Sequence, residues 1–261
     1  MRQMTVIASL PYTISTPGYY SLGSNFTPSN ANFSAITINC DNVCLDFNGY
    51  VIDGSSAGVN SISHGIYFSQ RKNIYLMNPR VVGFLYGIRI NDNEACSNGH
   101  HVIKGGILVN NLFRGIRIDG TANVVDDCQV LGVAGCTFFA NAFAMGIEAT
   151  GPSARVGYCS VAEVYPQGTG EAVGISISNS GLGTQVYNNK ISNKTLPENS
   201  FGIWCGSSSK VILEDNHVIS MDVGIATSSG VTGAYRDNLT SGCNTPYIIS
   251  GENMIDAGNN Q

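Results

Sequence analysis

The sequence predicts an all-β solenoid, a chain wound so that like strand lies on like strand. Three observations predict it. First, a Gly-Ile pair opening a short alternating run recurs at Gly65-Ile66, Gly87-Ile88, Gly115-Ile116, Gly146-Ile147, Gly174-Ile175, Gly202-Ile203 and Gly224-Ile225, in steps of 22, 28, 31, 28, 28 and 22 residues. Periods of roughly 20 to 50 residues mark stacked repeats. Second, each run spans only four or five residues and alternates with a period of two, which is a strand pattern. Third, the composition suits turns and short strands. Glycine supplies 31 of 261 residues, only 12% are charged, and long runs of strong helix formers are absent.

In chain order, residues 1–33 read as an N-terminal cap. Short strands are expected at Thr5-Val6-Ile7 and Tyr19-Tyr20-Ser21-Leu22, with turns at Pro11 and Pro17-Gly18. A solenoid needs a cap because an open end exposes core and unpaired strand edges. Residues 34–250 carry the repeat, starting from the imperfect copy Ala35-Ile36-Thr37-Ile38. A second repeated strand is expected after each Gly-Ile strand, clearest at Val186–Ser192 and Leu213–Ile219. In these copies Asn189, Asn216 and Asn238 align, with Cys128 and Cys159 in the same column. A column of identical amides predicts a hydrogen-bonded ladder. The longer steps carry insertions at 93–100, 132–144, 165–171 and 194–200. Loops projecting from a rigid array are the usual place for binding determinants. Residues 251–261 read as a polar C-terminal tail or cap.

The stretch Asn42-Val43-Cys44-Leu45-Asp46-Phe47-Asn48-Gly49-Tyr50-Val51-Ile52-Asp53-Gly54, preceded by Ile14-Ser15-Thr16-Pro17-Gly18-Tyr19-Tyr20, resembles the opening coils of right-handed parallel β-helix proteins of the pectin-lyase-like superfamily. The resemblance implies one right-handed parallel β-helix of about eight to nine coils. It implies no particular activity, because this fold hosts many unrelated ones. The calcium-binding aspartates and the Arg-x-Pro-x-x-Arg stretch of the superfamily's pectate lyases are missing. So are the Asn-Thr-Asp, Gly-His-Gly and Arg-Ile-Lys segments of polygalacturonase-like enzymes and the Asp-Pro-His motif of alginate epimerases. Asp126-Asp127 matches one polygalacturonase segment alone, so no catalytic residue is carried over.

The net charge of −5, with no basic cluster, argues against nucleic acid as a partner. No apolar run is long enough for a membrane span. Met1–Leu10 is too short and too weakly apolar for a signal peptide. The location stays open: extracellular or on a particle surface if a signal segment is missing from this sequence, intracellular if the thiols are free. Cys40, Cys128, Cys159 and Cys205, four of eight cysteines, fall at inward positions and read as packing thiols. Cys40 and Cys44 lack a second ligand pair at zinc spacing, and neither a metal nor a cofactor is expected. His100-His101 and His217 read as loop or surface histidines.

In each Gly-Ile strand the isoleucine and the residue two later face inward, and the residue between them faces outward. Stacking at about 4.8 Å then builds an outward column of Tyr67, Arg89, Arg117, Glu148, Ser176, Trp204 and Ala226. A second column holds Ser69, Asn91, Asp119, Thr150, Ser178, Gly206 and Ser228. The residues before the glycines form a third, with His64, Tyr86 and Arg114 at its start. Tyr67, Arg89, Arg117 and Trp204 are the candidate substrate-binding residues, since guanidiniums suit carboxylates and sulfates and aromatic faces suit sugar rings. Asp119 and Glu148 are the candidate catalytic pair. As diagonal neighbours about 7–8 Å apart, they match the separation of about 6.5–9.5 Å used by inverting glycosidases. Lyase or epimerase chemistry would instead draw a proton acceptor from Tyr67, Tyr86, His64 or the arginines. The opposing reading is a solvated face whose ion pairs contribute little, with Trp204 either displayed or covered by a loop.

Two functions follow. One is a carbohydrate-active protein that binds, and cleaves or epimerises, an acidic polysaccharide or surface glycan. The other is a non-catalytic structural or adhesion module, a fibre, tail or surface protein presenting loops on a rigid rod. Such a module would be a homo-oligomer, a trimer in a fibre or tail.

Overall fold

The computed structural model describes residues 4–261 apart from 93–97, 179–181, 208–209 and 251–252. The chain forms a right-handed parallel β-helix of three sheets with 11, 10 and 8 strands. The ten-stranded sheet contains the seven Gly-Ile strands, flanked by Tyr12–Ile14 and Ser34–Ile38 at one end and Thr245–Ile249 at the other. Its register stacks Ile36, Ile66, Ile88, Ile116, Ile147, Ile175, Ile203 and Ile225 in one column, and all of them are fully buried. Each buried isoleucine contributes about 1.5–3 kcal/mol, so this column is a main support of the rod. Among the described residues no helix is long and apolar enough to cross a membrane.

The repeated glycine has its own physical cause. Strand pairing joins Tyr86 to Arg114 and Ile88 to Ile116 but skips the glycines between them. A Cβ on Gly115, Gly146, Gly174 or Gly202 would lie 2.2–2.4 Å from Val130, Val161, Ile191 or Val218. It would also lie 2.6–2.7 Å from the carbonyl oxygen of the next glycine along the rod. Those branched residues belong to the eight-stranded sheet. The glycine column is therefore the corner where two sheets approach too closely for any side chain.

The expected second strand is in fact two strands in different sheets. Gln185–Tyr187 joins the eleven-stranded sheet and Lys190–Ser192 the eight-stranded one. Between such strands Asp127, Asn188, Asp215 and Asp237 take left-handed backbone angles, φ 53–54°. Asn and Asp tolerate that conformation, and it turns the chain through a corner.

The ladder stands at this corner. Asn189 Nδ2 donates to Asn216 Oδ1 at 3.0 Å, Asn216 to Asn238 at 3.0 Å, and Asn238 to Asn260 at 3.1 Å. Cys159 continues the column: its backbone N–H donates to Asn189 Oδ1 at 3.0 Å, and its thiol points to Val125 O as the Asn189 amide points to Val156 O. Cys128, Cys159 and Cys205 are buried and free, whereas Cys40 is only half-buried. Burial pushes the Cys205 thiol up to about 12.

Both chain ends supply strands to the eleven-stranded sheet. Met4–Ile7 pairs with Gly18–Leu22, and Asn253–Asp256 pairs with Thr232–Arg236. His101 corrects the expectation of a surface histidine: it is 1% exposed. Its Nδ1 accepts from Ile74 N–H at 3.2 Å, so Nε2 carries the proton and donates to buried Asp92 at 2.9 Å. Satisfied in this way, the ring packs as part of the corner. His100 and His217 are exposed.

Candidate functional site

The outward column holds in register: Tyr67, Arg89, Arg117, Glu148, Ser176, Trp204 and Ala226 pair rung by rung. Its burial differs from a solvated face. Asp119 is 6% exposed, Glu148 7%, Arg114 6% and Tyr86 4%. The 132–144 insertion covers the Tyr86 and Arg114 end of this face. Its Cys136, Phe139 and Ala142 pack on Leu85, Tyr86, Leu112 and Phe113 as a small second apolar core outside the coil. Phe139 lies 4.6 Å from Phe113, ring centre to ring centre. Thr137 ties the same loop to Val59 O at 3.0 Å. The 165–171 insertion adds Gln167, whose Nε2 donates to Leu112 O at 3.1 Å. Most of the 93–100 insertion lies outside the described residues.

Under this cover the charges form one network. Arg114 Nε meets Glu148 Oε2 at 2.8 Å and also donates through Nη1 to the Phe143 carbonyl, which joins the loop to the sheet. Arg117 bridges both carboxylates, with Nε 3.1 Å from Asp119 Oδ1 and Nη1 3.7 Å from Glu148 Oε2. Thr150 Oγ1 donates to Asp119 Oδ1 at 2.5 Å. Burial raises the Asp119 carboxyl above its ordinary range, against the pull of Arg117 and Thr150, and nearby Glu148 adds to the rise. Burial opposes the charge of Arg117, but Glu148 and Asp119 outweigh it and hold the guanidinium above its ordinary value.

One rung toward the N-terminus, the Arg89 guanidinium lies over the Tyr86 ring, 4.8 Å from its centre, a cation–π contact. Arg89 Nη1 is 3.4 Å from His64 Nε2, and His64 Nδ1 is 3.2 Å from Ser34 Oγ. Burial first and Arg89 second lower the His64 pKa to about 4, so the ring is neutral near pH 7. It stacks on Tyr67 at 5.4 Å. Arg89 has no carboxylate partner among the described residues. With His64 neutral, the three arginines exceed Asp119 and Glu148 by one positive charge, in a chain of net charge −5. Arg89 Nε, Gln167 Oε1 and Ser176 Oγ are buried with no hydrogen-bond partner among the described residues.

Trp204 stands two rungs beyond Glu148, half-buried. Its indole lies over Gly206, where a Cβ would come 2.0 Å from Cη2. The absent side chain lets the ring lie back on its own strand. Arg89, Arg117, Asp119, Glu148 and Tyr67 thus share one connected cluster, and Trp204 stands apart from it. The candidate set drawn from the sequence named His64 only as a proton acceptor for lyase or epimerase chemistry, and it lacked Arg114, Thr150 and Gln167 as working members. The available signal was Phe138, Phe139 and Phe143, three aromatic residues in one insertion, which mark a loop that packs back. Among the described residues no three His, Cys, Asp or Glu side chains gather to hold a metal.

No family model matches the chain, and no curated protein matches it in sequence. Solved structures share its fold. The GH136 lacto-N-biosidase from Eubacterium ramulus superposes with a TM-score of 0.60 at 11% identity, over 98% of this chain and 60% of that one. Pectate lyase Pel9A follows at 0.48 and 14% identity, over 99% and 69%. The mannuronan C-5 epimerase AlgE6 A-module of Azotobacter vinelandii gives 0.41 and 9%, over 97% and 87%. The chain is a right-handed parallel β-helix, and it spans 60% of the length of the lacto-N-biosidase. At 11% identity the likeness to the lacto-N-biosidase establishes the fold alone.

Proposed function

We propose that the outward face of the Gly-Ile sheet binds a glycan bearing anionic groups and hydrolyses it. The observation that carries this reading is the Arg117 bridge between two buried carboxylates, beside an Arg89 with no carboxylate partner among the described residues. The carboxyls differ in setting. Asp119, raised by burial, suits a general acid; Glu148, facing two guanidiniums, suits a carboxylate base that activates water. Arg89 and Arg117 receive the anionic groups, and Tyr67 and Trp204 offer flat faces to sugar rings. The shared fold with a lacto-N-biosidase supports a glycan as the ligand. A panel of uronate and sulfated oligosaccharides, followed by reducing-end release, tests it. Asp119→Asn and Glu148→Gln are expected to lower kcat by about 100-fold or more while binding persists. Arg89→Ala is expected to weaken binding about tenfold. Products with unsaturated ends would assign elimination instead. No turnover of any substrate, with wild-type binding in an Arg89→Ala, Arg117→Ala double variant, would sink the proposal.

A second reading has its own support. The Asp119 and Glu148 side chains are only 8% and 9% exposed, and Arg114 locks one of them to the loop. That favours a non-catalytic module whose rod presents loops, as a homo-oligomer. A trimeric mass in solution, together with glycan binding and no turnover, would select it.

A further inference from the structure

The outward face of the eleven-stranded sheet, a different face from the carboxylate cluster, holds a cavity of about 610 Å³. Its centre is a run of three rungs in register, Tyr19, Cys44 and Tyr75. The small Cys44 between two tyrosines leaves a gap two rungs long, about 9.6 Å. Asn42 and Asn73 lie at one border of the cavity, both in left-handed turns, φ 59° and 56°. Asn73 Nδ2 donates to Asn42 Oδ1 at 2.9 Å. Asn42 Nδ2 and Asn73 Oδ1 have no partner among the described residues, which leaves one donor and one acceptor facing a ligand's hydroxyls.

Among the described residues no acidic or basic side chain lines this cavity. A charged ligand would lose hydration there without a counter-charge, which is costly. Burial, and then Asp46, push the Cys44 thiol up, so it too is neutral. A second cavity of about 250 Å³ adjoins on the far side of Tyr75 and includes Asn78, Lys104 and Asp127. Lys104 is paired with Asp126 at 3.0 Å. Tyr75 is common to both cavities, and the second lies toward the strand ends at Met77 and Lys104, so a ligand crossing the sheet obliquely would place one unit on each side of the ring.

We propose that this trough is a separate binding site for a neutral oligosaccharide, with one pyranose between Tyr19 and Tyr75 and the next beyond Tyr75. Among the described residues the first cavity offers amides and aromatic faces, and the second adds Lys104, paired with Asp126, and the single carboxylate of Asp127; without two carboxylates facing one cavity, the site binds without cleaving.

Cys44 is a built-in reporter. Its alkylation by iodoacetamide is followed by peptide mass spectrometry with cellohexaose, mannohexaose, chitohexaose or galactohexaose present, and with hexagalacturonate as the acidic arm. At several times Kd, at least one neutral hexasaccharide is expected to slow Cys44 alkylation about fivefold, with Cys243 unchanged. Tyr75→Ala is expected to abolish the protection and Tyr75→Phe to keep it, both checked for wild-type thermal unfolding. Asp119→Asn and Glu148→Gln leave it intact, which separates this site from the carboxylate cluster. The proposal is overturned if no neutral sugar protects, if hexagalacturonate alone protects, or if Tyr75→Ala is protected like wild type. Protection that grows with protein concentration without sugar would also overturn it, by showing that a second copy covers the trough.

Discussion

At His64, burial and the Arg89 guanidinium both act against the imidazolium, and the pKa falls to about 4 from 6.5. The unfolded chain takes up this proton below pH 6.5; the folded protein resists until about 4. Stability from this group is therefore complete above pH 6.5 and is lost as pH falls toward 4, by about 3 kcal/mol. His64→Phe is expected to flatten the acid side of the stability curve between those values, measured as urea midpoints from pH 4 to 7. Parallel curves for variant and wild type would show that the ring is not held neutral. Asp119 works in the opposite sense. Its folded pKa is raised, so ionisation costs stability as pH climbs above the ordinary carboxyl range, and the cost is relieved on acidification. The two residues lie on one face, and the net acid response is the difference between them.

The Asn ladder shows how an element gains strength from repetition. Asn216 donates to Asn238 Oδ1 and Val186 O and accepts from both nitrogens of Asn189. Asn216→Ala strands the Asn189 donors and the Val186 carbonyl in a buried corner. Each such group costs about 1–3 kcal/mol, so a loss of at least about 3 kcal/mol is expected. Asn260 is partly exposed at the end of the same ladder, and water can replace its partners; Asn260→Ala is expected to lose about 1 kcal/mol or less. Urea denaturation of the two variants tests this, and equal losses would deny the ladder its buried character. The ladder was legible in the sequence because an identical residue returned at a fixed place in the period. The corner beside it was not. Asn188 and Asp215 read as ordinary polar positions in an alternating strand, and only their backbone angles split that strand between two sheets. The glycine was likewise legible as a repeat but not as a corner, because the overlap with Val130 or Val161 involves another sheet.

For the whole molecule, winding turns a period in sequence into a position in space. That is why the order Tyr67, Arg89, Arg117, Glu148, Ser176, Trp204 could be read in advance and the burial of Glu148 could not. The 132–144 insertion has no period, and its effect on Arg114 depends on where Phe139 and the Phe143 carbonyl come to rest. The same winding makes the rod a chain of nearest-neighbour interfaces, whose stability is close to a sum of coil and interface contributions. Ile147 is fully buried between Ile116 and Ile175 in mid-array. Ile147→Asp removes about 1.5–3 kcal/mol of apolar burial and forces a carboxyl into two interfaces without a partner, a further cost of several kcal/mol. Against a total stability of about 5–15 kcal/mol, the rod is expected to unfold or to part at that coil. Ile249 belongs to the last strand of the ten-stranded sheet, Thr245–Ile249, and is half-buried. Ile249→Asp should fray the final coil and leave the rest protected. Thermal unfolding with limited proteolysis separates the cases: cleavage near the middle and a large fall in Tm for Ile147→Asp, trimming of the C-terminal coil for Ile249→Asp. A wild-type melt for Ile147→Asp would mean that the isoleucine column does not hold the rod together. An equal and complete loss of protection in both variants would mean that the coils fold as one indivisible unit.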